Sequence, residues 1–541
     1  MATVSHTPGK RRYFTEVALL LLALGVGVAA YLLVVVGNTG QLPPGLGTHL
    51  ASLAGAGLVT YGAVKWLAPY ADPVILPVAF ALNGLGLAMI YRLDISYLAA
   101  EHYDQVVGNK QLLVTAVGLI AALAVLFLVR DHRNLKRYTY LSLLASVVLL
   151  LLPLVPGLGV SQYGANIWID LKVATFQPAE LAKILLAVFF ASYLADNRDN
   201  LALTGRKLAG MRLPRLRYTT PLLVAWLVGV GILVLQNDYG TSVLLFGLFV
   251  IMLYVATDRP AWIAIGFLAA AAAGYGAYLL KPHIANRVVA WLHPLDPEVY
   301  ASGGGSFQLV QGLFGFATGG LTGTGLGNGH PTLVPFANSD FIVASFGEEL
   351  GVTGVFAILA LYGILVERGL RIAIGARDGF GKLLATGLAF SIALQVFVVV
   401  GGLTRVLPLT GLTTPFLAAG GSSLLSSWII IALLLRMSDA ARRPQAAPVL
   451  GDAALPAALI GELDRDQARV GMADTARLAP ARFGAAATGG HDGAAPFNGD
   501  CFNGDARGDA ACGGEESGGA VLQGGAAPVE PDDNPTTVVR L

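Results

Sequence analysis

Between Val17 and Leu435 the chain returns repeatedly to apolar runs of about twenty residues, the length a helix needs to cross a bilayer. No water completes backbone hydrogen bonds in hydrocarbon, so each run is expected to be a helix that pairs its own N–H and C=O groups. With 55% hydrophobic and 13% charged residues and a mean hydropathy of +0.66, a soluble globular domain is excluded. The formal net charge of +1 offers nothing to a nucleic acid.

Twelve spans are expected: Val17 to Gly37, Leu50 to Val64, Ile75 to Tyr91, Leu112 to Val129, Tyr140 to Leu154, Ala179 to Leu194, Thr220 to Leu235, Thr241 to Ala256, Trp262 to Leu280, Phe341 to Val366, Leu383 to Gly402 and Thr414 to Leu435. Lys10, Arg11 and Arg12 precede the first run, which is too long for a signal-peptide core and lacks a cleavage site. Basic residues crowd alternate connections: Arg130, Arg133, Lys136 and Arg137; Arg206, Lys207, Arg212, Arg215 and Arg217; Arg368, Arg371, Arg377 and Lys382; and Arg436, Arg442 and Arg443 after the last span. By the positive-inside rule these connections and both termini are cytoplasmic. The longest connection, from Lys281 to about Asp340 between the ninth and tenth spans, is then extracytoplasmic, and a connection of that size is usually functional. Residues 437–541 repeat Phe-Asn-Gly-Asp at 497–500 and 502–505 and are expected to form a disordered cytoplasmic tail. Cys501 and Cys512 lie in that tail and imply neither a disulfide nor a metal site.

Ionisable groups inside spans are costly and call for a partner or a function. Glu180 and Lys183 stand three residues apart on the sixth span, on one helix face, and Asp238 at the turn between the seventh and eighth spans is placed to join them. An interhelical staple and a direct part in chemistry or conduction are both open for this set. Glu348 and Glu349 form a second acidic pair with no basic neighbour in sequence, so at least one is expected to face water or a cavity. The glycine run from Gly319 to Gly329 lacks the strand before it and the Lys-Ser or Lys-Thr after it that a nucleotide loop requires. It reads either as a lid over a ligand or as a connector.

Four stretches in order resemble the SEDS family of cell-shape and division proteins, known as RodA, FtsW and SpoVE. They are Gly164-Ala165-Asn166-Ile167-Trp168 with Gln177-Pro178-Ala179-Glu180-Leu181-Ala182-Lys183; Gln236 to Ser242; the connection carrying Asp296-Pro297, Gln308, Gln311, the glycine run, Asp340-Phe341-Ile342 and Glu348-Glu349; and Pro408 to Gly411 with Pro415-Phe416 and Gly420 to Leu425. The resemblance covers roughly Ile75 to Leu435. It implies the family's ten-helix core at 75–436, with an outer catalytic loop at 281–340 and residues 1–74 as a cytoplasmic N-terminus and two added helices. Thr404-Arg405 before Val406-Leu407-Pro408 leans toward the RodA branch in an actinobacterial setting. Asn166, Ala179, Asn237 and Ala418-Ala419 depart from the family pattern without removing a carboxylate or the intramembrane lysine.

The resemblance implies a peptidoglycan glycosyltransferase that polymerises lipid II at the outer face of the plasma membrane. Lipid II would be the substrate, a class B penicillin-binding protein the cross-linking partner, and other elongation or division machinery further partners. Such a reaction needs a base to deprotonate the acceptor hydroxyl, and the pyrophosphate leaving group has little need of a general acid. Asp296 matches the family's essential loop aspartate, although Asp-Pro alone reads as a turn. Positive charge for the pyrophosphate would come from Arg287, with Lys281 and Arg405 as further candidates, or from a divalent cation such as Mg or Mn. Gln308, Gln311, Asp340, Glu348 and Glu349 complete the substrate-binding candidates. His293 and His330 show no ligand spacing, and no metal site is expected from them. The competing class is a lipid II flippase, for which Glu180, Lys183 and Asp238 at mid-membrane would carry the work; a scaffold that only recruits the transpeptidase is a third.

Overall fold

Each apolar run closes into a helix. The computed structural model describes residues 13–38, 46–102, 105–162, 164–172, 175–202, 207–208, 211–212, 216–302 and 305–444. The expected disordered tail, with Cys501 and Cys512, and the basic residues 10–12 lie outside the described residues. In chain order the elements are α1 (Tyr13–Asn38), α2 (Leu46–Leu67), α3 (Ile75–Ala99), α4 (Gly108–Leu128), α5 (Thr139–Leu151), β1 (Gly159–Gln162), β2 (Ala165–Asp170), β3 (Thr175–Phe176), α6 (Ala179–Asp196), α7 (Arg198–Ala202), β4 (Lys207–Leu208), β5 (Met211–Arg212), α8 (Leu216–Leu235), α9 (Tyr239–Thr257), α10 (Ala261–Leu280), α11 (Pro282–Leu292), α12 (Pro297–Ala301), α13 (Phe307–Gly319), α14 (Ile342–Gly375), α15 (Gly379–Leu403) and α16 (Gly421–Arg442).

Among the described residues ten helices are long and apolar enough to cross a membrane. The sixth and seventh expected spans are also helices, α6 and α8, but they fall short for physical reasons. α6 carries Glu180, Lys183 and Asp196, and the apolar part of α8 is only Thr219–Leu235. The count of twelve therefore turns on these two elements. The expectation of an all-helical chain holds for the spans, while two small antiparallel sheets occupy connections.

α3, α15 and α16 are buried along most of their length, whereas α10 is buried almost nowhere and turns Phe267, Leu268 and Tyr275 outward. Outward apolar side chains and inward serines, glycines and charges are what a lipid solvent selects, since lipid does not drive apolar faces together. Small residues allow close crossings: a Cβ on Gly84 of α3 would lie 3.1 Å from the Gly27 Cα of α1. At the end of the bundle away from the 281–340 connection, Asp72 accepts from Arg442. Nearby, Asp439 accepts from the Tyr70 N–H at 2.9 Å, tying the α2–α3 joint to α16.

The glycine run, expected as a lid or a connector, joins α13 to α14 through a defined set of hydrogen bonds. It wraps α14 as a clasp: Thr324 N–H donates to Glu348 O at 3.0 Å, Gly325 N–H to Glu349 O at 2.9 Å, and Val352 N–H to Gly320 O at 3.0 Å. α14 breaks at Gly351 (φ 70°, ψ −178°) to expose those carbonyls. A Cβ on Gly319 would sit 2.0 Å from Gly347 O, and one on Gly323 (φ +82°) 2.2 Å from Glu349 O, so backbone contact requires glycine at both.

Candidate active site

At the end of the bundle that carries the 281–340 connection lies a cavity of about 990 Å³, at the upper end of ligand-pocket sizes. Its walls come from segments spread between Ala165 and Ala419. The β1–β2–β3 sheet, paired antiparallel with Val160 opposite Trp168 and Ile169 opposite Phe176, presents Ile167 and Trp168 to it. The sheet is held by Asn166 N–H on Gln236 O at 3.0 Å and by the Asn237 amide on Gly164 O at 3.0 Å. Gln177 and Glu180 follow from the start of α6, Asp238 and Tyr239 from the α8–α9 turn, His283 and Arg287 from α11, and Gln308 from α13. Ser339 and Asp340 come from the approach to α14, and Thr410 to Thr413 from the segment after α15.

The charges inside are few and placed. Arg287 donates from Nη1 to Leu409 O at 3.0 Å. Burial draws its pKa below the ordinary arginine value, opposed by the nearby charges of Asp340, Asp238 and Tyr239. Burial raises Asp340 above the ordinary carboxylate value, offset by the Ser339 hydroxyl and by Arg287. Asp238 is raised by burial as well, with the Thr241 N–H and side chain pulling the other way. Its Oδ1 accepts from that N–H at 2.9 Å, capping α9, and its Oδ2 accepts from the Gln177 amide at 3.3 Å. Burial and Arg287 hold His283 below the ordinary histidine value. The guanidinium can hold an anion, and carboxylates made more basic by burial can accept a proton.

The expected site residues separate into groups. Arg287, Gln308, Asp340, Asp238 and Glu180 meet in the cavity wall. Lys183 pairs with Glu180 at 2.5 Å and donates to Gln395 Oε1 at 2.9 Å; Glu180 also accepts from Ser426 at 2.7 Å. Asp238 caps α9 and is not bonded to the pair, although the Glu180 charge acts on it. Asp296 is exposed and outside the wall, capping α12 by accepting from the Glu298 N–H at 3.0 Å, yet Trp291 and Tyr300 on either side of it both line the cavity.

Glu348 and Glu349 require a correction, because both are buried in the clasp and neither lines the cavity. The basic neighbour that Glu349 lacks in sequence is Arg92 of α3, at 2.8 Å. Arg405 and Gln311 also lie outside the cavity lining. Arg405 donates to Trp291 O and Leu292 O, both at 2.8 Å, and so caps α11, while Gln311 donates to the Tyr300 hydroxyl at 3.0 Å. Lys281 sits at the α10–α11 joint; His293 and His330 are exposed. Among the described residues no three His, Cys, Asp or Glu side chains gather as metal ligands. His283 escaped the sequence reading, although its spacing of four from Arg287 on an amphipathic helix places both on one face.

Fold and site together define a multi-pass membrane protein with a charged, ligand-sized chamber at one end of its helix bundle. A family model described as cell cycle protein (FtsW, RodA, SpoVE) matches residues 73–443. The peptidoglycan glycosyltransferase RodA of Mycobacterium tuberculosis is 47% identical over 450 residues, 82% of this chain and 94% of that protein. A probable peptidoglycan glycosyltransferase FtsW of Trichlorobacter lovleyi is 35% identical over 382 residues, 69% of this chain and 94% of that one. Among solved structures, a chain of a peptidoglycan synthase complex that coordinates polymerization and crosslinking superposes with a TM-score of 0.55 at 27% identity. That superposition covers 69% of this chain and 99% of the other. The chain belongs to the FtsW/RodA/SpoVE family, and the family match begins after α1 and α2.

Proposed function

We propose that this chain is a peptidoglycan glycosyltransferase that joins lipid II units at the outer face of the plasma membrane, with both termini in the cytoplasm. The observation that carries the reading is the chamber itself, where Arg287 shares the walls with Asp340, Asp238 and Glu180. The names of its relatives favour polymerisation over transport of the same lipid. Arg287 would receive the pyrophosphate of the donor, Trp168 and Gln308 would bracket its sugars, and the acceptor hydroxyl would attack the anomeric carbon as pyrophosphate departs.

Asp296 is the proposed base. It sits between two stretches that line the chamber, on the single-turn helix α12, so a small rotation of that helix on substrate binding would carry its carboxylate inward. A second reading is supported by one observation: Asp340 already lies in the chamber beside Arg287, where burial raises its pKa and makes it a stronger proton acceptor than a free carboxylate. The solved synthase complex supports a transpeptidase of the penicillin-binding class as partner. The test is to purify the chain with such a partner, supply labelled lipid II and run the products on a gel. Glycan polymer that vanishes with Asp296→Asn and persists with Asp340→Asn supports the first base, and the converse the second. Absence of polymer alongside lipid II translocation in vesicles would replace the enzyme by a flippase.

A further inference from the structure

Arg92 is a buried arginine on α3, outside the chamber and without a part in the chemistry above. Its guanidinium reaches three groups at once: Glu349 Oε1 from Nε at 2.8 Å, Gly329 O from Nη2 at 2.8 Å, and the Ser96 hydroxyl one turn along α3. The carboxylates of α14 take up the other side of the clasp, with Gly327 N–H on Glu349 Oε2 at 3.0 Å and His330 N–H on Glu348 Oε1 at 2.6 Å. The clasp lies between the two stretches of the 281–340 connection that line the chamber, Phe307 to Leu309 before it and Pro335 to Phe341 after it. It also rests on the added helix α1, where a Cβ on Gly37 would come within 2.2 Å of Leu326 O.

We propose that Arg92 is a positioning residue for glycosyl transfer: paired with Glu349, it locks the clasp between α1, α3 and α14 and so fixes where Gln308 and Asp340 stand in the chamber. A guanidinium suits this task because its planar fork holds several donors in fixed directions, here one to a carboxylate, one to a carbonyl and one to a hydroxyl. Two buried carboxylates and one arginine with several bonds each define a single seat for the clasp. The role in transfer rests on the glycosyltransferase reading, whereas the seating of the clasp does not.

The test uses the full chain with its transpeptidase partner in lipid nanodiscs, reading lipid II polymerisation, thermal unfolding, and amide hydrogen exchange over residues 320–334. For Arg92→Met we expect protection of the clasp amides to fall about tenfold or more. We expect kcat to drop about 10- to 100-fold, with KM within about twofold. Arg92→Met with Glu349→Leu removes the buried pair whole, so the unfolding temperature should recover while kcat and clasp protection stay low. Gly37→Leu presses on Leu326 from α1 without touching the pair, and should lower clasp protection and kcat together. This variant decides the matter if the arginine variants do not fold. Recovery of kcat in the double variant, or normal protection in Arg92→Met or Gly37→Leu, overturns the proposal. A wild-type chain that polymerises no lipid II removes the transfer role, and exchange alone then decides whether Arg92 seats the clasp.

Discussion

At the scale of single residues, environment separates two aspartates of the same connection, Asp296 and Asp340. Asp296→Asn keeps the cap on α12, since an amide oxygen accepts from the Glu298 N–H as a carboxylate does. Membrane insertion and unfolding temperature should therefore be unchanged while lipid II polymerisation is lost, by about 10²-fold or more if the carboxylate is the base. Asp340 differs. Its raised pKa means that folding favours the neutral acid, so its contribution is most favourable at low pH and is lost as pH rises through the folded value. Asp340→Asn should thus gain thermal stability relative to wild type, more at about pH 8 than at about pH 5, as unfolding scans at the two pH values would show. The sequence made Asp296 and Arg287 visible through motif and position. It concealed the surroundings of Glu349, because the arginine that explains it lies on another helix, 257 residues earlier.

At the scale of elements, α6 brings its charge pair to the base of the chamber. Lys183→Met leaves the Glu180 carboxylate with only the Ser426 hydroxyl, which should cost about 3–5 kcal/mol as for other broken buried pairs. Adding Glu180→Leu should restore the unfolding temperature without restoring polymerisation, because Glu180 itself forms part of the wall. Return of both would reduce the pair to a staple. The clasp is equally specific: Gly323→Ala meets both a positive φ and the Glu349 carbonyl, and a loss of about 1–3 kcal/mol is expected in thermal unfolding. The helices were legible because a bilayer demands long apolar runs. The clasp was not, since its hydrogen bonds run to carbonyls freed by a break at Gly351 that no periodicity announces. The small sheet at 159–176 was hidden too, its strands being short and held by Gln236 and Asn237 in the turn after α8.

At the scale of the whole molecule, alternating basic connections give an orientation that labelling can check. A cysteine introduced at Ser302 should react with an impermeant reagent applied to intact cells, and one at Arg133 should react only after the membrane is opened; the reverse pattern inverts the topology. The order of the helices could be read from hydropathy, but the meeting of seven segments in one chamber could not, because it depends on how the helices pack. The Arg92–Glu349 bond bears finally on how the chain is made. Synthesis delivers α3 to the membrane 257 residues before the carboxylate that will neutralise it. At about 5–20 residues per second this interval is roughly 10–50 s. During that time an arginine sits in a helix inserted into lipid, at a cost of about 2.5–3.5 kcal/mol were it at the centre of the bilayer. The Ser96 hydroxyl, one turn further on, offers an acceptor within the same helix for the wait. Biogenesis of this protein therefore has a late closing step, in which the arrival of α14 relieves a charge inserted near the beginning.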